Sequence, residues 1–127
     1  MVYIVVGRQN SGKTTLAYHL KEILESYGES TVILDGDEFR EEFPIRYSDD
    51  ERSKRIYIIA KLAKIFEKQG VVPIIASLLE KKRWRIGIRK NFDSSRMIYL
   101  PGGIGPEGVD YEVPGREEIG DDYPRRI

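Results

Sequence analysis

The chain has 127 residues, 40% of them hydrophobic and 33% charged, with 21 basic and 21 acidic side chains and a formal net charge of zero. That balance suits one globular domain with its own core, and it excludes both a disordered polyelectrolyte and a protein whose whole surface is a basic footprint for nucleic acid. No cysteine occurs, which removes disulfide frameworks, thiolate metal sites and cysteine nucleophiles. MVYIVVG carries no basic leader and no run approaches a membrane span in length, so a cytoplasmic location without export or membrane insertion is expected.

Val2 to Val6 is a continuous apolar run rich in β-branched residues, the pattern of a strand buried on both faces. Leu16, Ala17, Leu20, Ile23, Leu24 and Tyr27 then fall at helical spacing, and Gly28 can supply the left-handed stop. Ser30 to Leu34 is a second short strand, ending in the polar stretch DGDEFR. In YSDDERSKRI, Ser48 and Glu51 form a capping box for a long helix that Gly70 closes, with Ile56, Ile59, Ala63 and Phe66 on its apolar face.

Val71 to Leu79 is a third buried run, with Pro73 placed near its start because proline cannot donate to a ladder. Glu80 to Asn91 reads as a helix and Arg96 to Leu100 as a fourth strand. Strands alternating with helices predict an α/β, three-layer α/β/α fold with a parallel sheet of four or five strands, of the P-loop NTPase type. A single domain spans residues 1–127: a core over 1–100 and an irregular glycine- and proline-rich tail over 101–127.

The loop after the first strand, GRQNSGKTT, matches G-x-x-x-x-G-K-[ST] through Gly7, Gly12, Lys13 and Thr14. It leaves a buried strand and enters a helix, as phosphate binding by converging backbone N–H groups requires. Gly7, Arg8, Gln9, Asn10, Ser11, Gly12, Lys13, Thr14 and Thr15 are therefore expected around the phosphates of ATP, with Lys13 on the β- and γ-phosphates and the Thr14 hydroxyl on Mg²⁺. The third run ends IIASLL, which offers Ser77 and no acid. The carboxylate work near Mg²⁺ and the attacking hydroxyl thus falls to Asp35 or Asp37 of LDGDEFR. No NKxD guanine-reading motif is present.

GRQNSGKTT, LDGDEFR and YSDDERSKRIYIIAKLAKIFEKQGVVPIIAS resemble, in order and spacing, the adenosine 5′-phosphosulfate (APS) kinases, or adenylylsulfate kinases; GVDYEVP is similar to a contracted form of their GID-PYE-P segment. The resemblance implies transfer of the ATP γ-phosphate to the 3′-hydroxyl of APS. It implies Asp37 orienting that hydroxyl, Asp35 with Thr14 toward the metal, Arg40 and Arg52 holding the phosphosulfate, and Tyr47 stacking on the adenine. Family members also suggest a homodimer. The chain departs from the family pattern at Arg55 and Tyr57, at Leu78, Leu79 and Glu80 in place of Ile-Ser-Pro, and after RMIYL, where PGG replaces a lysine-bearing lid helix.

KKRWRIGIRK, with six basic residues and no acid, is read as a solvated helix face with Trp84 and Ile88 packing inward; the other reading is a polymer-binding patch with Trp84 stacking on a base. A small nucleotide-like substrate rather than nucleic acid or a membrane is the expected partner. His19 has no ligand-spaced companion and is assigned a structural role. Two other functions remain compatible with the motifs: a P-loop kinase for another hydroxyl, nucleoside or nucleic-acid 5′-hydroxyl included, and an ATP-binding regulator without transfer.

Overall fold

A computed structural model describes residues 1–43, 48–104 and 111–119. In chain order these form β1 (Val2–Gly7), α1 (Lys13–Ser26), β2 (Ser30–Asp35), α2 (Gly36–Glu42), α3 (Asp49–Lys68), β3 (Val71–Ser77), α4 (Lys82–Arg89), β4 (Ser95–Leu100) and α5 (Arg116–Ile119). The strands make a four-stranded sheet in the order β2-β3-β1-β4, and every pairing is parallel.

The period of two along β1 sorts its side chains between layers. Val2, Ile4 and Val6 face a core closed by Ile59 and Ala63 of α3 and by Trp84 and Ile88 of α4. Val5 faces the other way, onto Ala17, Leu16, Leu20 and Leu24 of α1. Helices therefore cover both faces, and the near-continuous apolar sequence of β1 follows from its burial on both sides. Among the described residues no helix is long and apolar enough to cross a membrane.

Pro73 sits inside β3, an interior strand, opposite Val32 of β2. The pairing of β3 with β1 opens one residue later, at Tyr3 and Ile74, so the missing N–H falls at the end of that ladder.

α3 begins as the capping pattern requires: the Ser48 hydroxyl accepts from the Glu51 N–H at 3.3 Å, with Asp49, Asp50 and Glu51 in the first turn. Ser48→Ala is expected to destabilise the fold by about 1 kcal/mol, read as a lower urea midpoint at unchanged slope.

Two helices absent from the sequence expectation, and the limits of β3 and α4, are the main differences from it. Residues Gly36–Glu42 form α2, whose N-cap is Asp35: its Oδ1 accepts from the Asp37 N–H at 2.8 Å. β3 stops at Ser77 and α4 starts only at Lys82, because Leu79 takes a left-handed φ of 42° that neither a strand nor a helix continues. Within the expected irregular tail, Arg116–Ile119 form one helical turn whose Ile119 enters the core.

The register lines up the strand ends. Asp35 is opposite Ala76, Val6 opposite Ser77 and Gly7 opposite Leu100, so the carboxyl ends of all strands meet along one edge. β3 and β4 flank β1 on opposite sides, which makes that edge beside β1 the switch point where α/β sheets hold ligands.

Candidate active site

The loop after β1 ends at Gly12, which caps α1 with a left-handed φ of 96° and provides no side-chain cap. The first N–H groups of α1 thus remain directed into the concavity lined by Asn10, Gly12, Lys13, Thr14, Thr15 and Asp37. Lys13 folds back, its Nζ donating to the Arg8 carbonyl at 2.7 Å. Burial lowers its pKa below the ordinary 10.5, against the opposing pull of Asp37 and then Asp35.

Below this cradle the Thr14 hydroxyl donates to Asp35 Oδ2 at 2.9 Å, and Asp35 is buried at the end of β2. The pair presents two hard oxygens side by side, which suits Mg²⁺: this ion takes one or two protein oxygens and completes its shell with phosphate and water. Asp37 stands further out, exposed, with its Oδ1 accepting from Arg40 Nη2 at 3.0 Å.

A second cleft adjoins the cradle, lined by Lys13, Asp35, Asp37, Arg40, Arg52 and Glu80 among others. Lys13 and Asp37 line both concavities. Of the residues expected around the phosphates, Asn10, Gly12, Lys13, Thr14 and Thr15 face the cradle. Arg8 and Gln9 also anchor the loop: the Arg8 guanidinium donates to the Tyr99 hydroxyl at 3.2 Å and lies 4.9 Å from the Tyr111 ring centre, and the Gln9 carbonyl accepts from the Ile104 N–H at 2.7 Å. Gly103 is pressed onto the loop, where a Cβ would collide with the Gln9 carbonyl. Gly7 packs against Ser11 and Leu100, and the Ser11 hydroxyl is buried with no hydrogen-bond partner among the described residues.

Arg52 reaches the second cleft but is buried and ion-paired with Glu80, 5.8 Å from the Trp84 ring centre. In the sequence Glu80 is a departure from the family pattern and the first residue of an expected helix, and nothing local in IIASLLE marks it as a partner for Arg52. Tyr47, assigned to the adenine, lies outside the described residues.

Most of the basic run is taken up by pairing with residues distant in the chain. Lys81 and Arg83 hold Asp49 at 2.9 and 3.3 Å, Lys82 reaches Glu117 at 3.3 Å, Arg85 holds Glu118 at 2.8 Å, and Arg89 donates to the Glu118 carbonyl. Trp84, the ring that could have stacked on a base, is buried.

The family model described as adenylylsulphate kinase matches residues 1–100. The chain belongs to this family. Among curated adenylylsulfate kinase family relatives, it is 30% identical over 97 residues to a probable adenylyl-sulfate kinase of Archaeoglobus fulgidus, covering 75% of this chain and 63% of that one. To the probable adenylyl-sulfate kinase of Pyrococcus abyssi it is 32% identical over 98 residues, covering 76% and 56%. The fold matches that of the Mycobacterium tuberculosis APS kinase in complex with AMPPNP and APS, with a TM-score of 0.73, 19% identity and coverage of 78% and 61%. The chain thus spans between half and two thirds of the length of these adenylylsulfate kinase relatives.

Proposed function

We propose that the protein is an ATP-dependent phosphotransferase that delivers the γ-phosphate to a hydroxyl, with the 3′-hydroxyl of APS as acceptor. One observation carries this reading: Lys13 and Asp37 stand at the junction of a phosphate cradle and a second, guanidinium-lined cleft. A protein that only bound nucleotide would need the cradle alone.

The roles follow from position. The N–H groups at the start of α1 and the Lys13 ammonium hold the β- and γ-phosphates and meet the charge that grows during transfer. Thr14 and Asp35 would hold Mg²⁺, which when bound neutralises charge on the phosphate oxygens. Asp37 orients the acceptor hydroxyl. The acceptor's hydroxyl oxygen bonds to the γ-phosphorus as the bond from phosphorus to the β–γ bridging oxygen breaks, and the hydroxyl proton passes to Asp37 and on to solvent. Arg40 and Arg52 face the anionic part of the acceptor.

Incubation with MgATP and APS, followed by mass spectrometry, tests the assignment: a product heavier by one phosphoryl group supports it, and ATP binding without any such product defeats it. Asp37→Asn keeps the shape and removes the base, so turnover is expected to fall roughly a hundredfold. An acceptor of lower charge is the second reading, favoured by the pairing of Arg52 with Glu80.

A further inference from the structure

We infer that Glu80 is a specificity-determining residue of the acceptor cleft: it competes with the anionic end of the acceptor for Arg52 and so limits the negative charge that the cleft rewards. The inference rests on the phosphotransferase reading and deepens it. Glu80 is 2% exposed and Arg52 4% exposed, and their ion pair lies in the wall of the cleft that also contains Lys13, Asp37 and Arg40. Arg40 in turn is paired with Asp37. Both guanidinium groups assigned to the acceptor already have a carboxylate that offsets their charge, and an anion entering the cleft must share the guanidinium with it or displace it.

Glu80 is held there by its backbone. Three successive carbonyls of the turn after β3 are each engaged by a different residue: Leu78 accepts from the Tyr111 hydroxyl at 2.6 Å, Leu79 from Arg85 at 2.7 Å and Glu80 from the Glu112 N–H at 2.8 Å. The left-handed Leu79 between them fixes the direction in which the next side chain leaves. The clamp fixes where the Glu80 side chain leaves the backbone, and its burial and the ion pair with Arg52 hold the carboxylate in the cleft wall. A buried carboxylate beside a buried guanidinium is costly to separate, so the pair persists until an acceptor offers a better anion.

The tail supplies two of the three clamps, through Tyr111 and Glu112. The charge of the cleft is therefore set by residues far apart in the chain: Arg52 on α3, Glu80 after β3 and the tail that pins it.

Calorimetric titration of APS and of adenosine, which has the same 3′-hydroxyl and no charge, in the presence of AMPPNP, tests the inference. The wild-type protein is expected to favour APS over adenosine by less than about tenfold, and Glu80→Gln to tighten APS by at least about tenfold while adenosine and AMPPNP bind as before. Unchanged or weaker APS binding by Glu80→Gln overturns the inference. So does a wild-type preference for APS of about a hundredfold or more, a measurement that needs no variant to fold. Failure of the wild-type protein to bind AMPPNP at all would defeat the phosphotransferase reading itself, and the inference with it.

Discussion

Lys13→Ala is expected to cut phosphoryl transfer by at least about a thousandfold and to weaken ATP binding measurably, while the unfolding midpoint changes little. The side chain contributes nothing to the core: its only described hydrogen bond is to the Arg8 carbonyl. Its ammonium is nonetheless the cation common to the phosphate cradle and the acceptor cleft, so no neighbour replaces it when charge moves from one to the other. Its lowered pKa, caused first by burial, adds a pH signature. In the nucleotide-free protein the ammonium is lost at a lower pH than for an ordinary lysine, so ATP affinity falls on the alkaline side at a lower pH than an ordinary lysine would cause. Bound phosphates favour the charged form, and the loss in the ATP complex shifts back upward. Titrating ATP affinity against pH, with Lys13→Arg as the variant that stays charged, checks this: the alkaline fall disappears in Lys13→Arg if Lys13 causes it.

The cradle was legible in the sequence because everything it needs is local. A buried strand, a glycine-containing loop and a helix follow one another within residues 2–26, and each carries its own period. Asp35 was legible as the acid at the end of a short apolar run, though its capping of α2 was not. The helix Gly36–Glu42 has only Phe39 to set against the core, too little to show an apolar stripe. Glu80 was hidden for a different reason. Its partner lies on α3, and only the parallel sheet brings the end of β3 beside that helix. The same holds for the basic run, whose acids come from Asp49 and from Glu117 and Glu118 in the tail. Composition displayed both signs of charge and could not say that they meet.

The tail pairing leads to the largest stability effect expected. Glu118→Ala should destabilise the protein by about 3–5 kcal/mol, because it leaves the Arg85 guanidinium buried without its carboxylate. Arg85 is 1% exposed, and both Nε and Nη2 donate to Glu118, at 2.8 and 3.2 Å. Against the 5–15 kcal/mol typical of a domain this size, the loss is a large fraction of the total. Glu117→Ala is the control: that carboxylate is exposed and its pairing with Lys82 is screened by water, so the urea midpoint should not move. Replacing both partners, Arg85→Met with Glu118→Met, should recover most of the loss, since an apolar pair avoids the desolvation that the ions incur. A small effect of Glu118→Ala, with the midpoint moving no more than for Glu117→Ala, would show that the tail does not hold Arg85.

The double replacement should not recover everything. Arg85 also donates to the Leu79 carbonyl, one of the clamps that aim Glu80 into the acceptor cleft. A protein restored in stability but lacking that bond has a looser turn after β3. Its KM for the acceptor is then expected to change while its KM for ATP does not, because the cradle lies on the other side of Lys13 and shares no clamp with Leu79. The same guanidinium thus ties the stability of the domain to the geometry of its second cleft, and the two readouts separate those contributions.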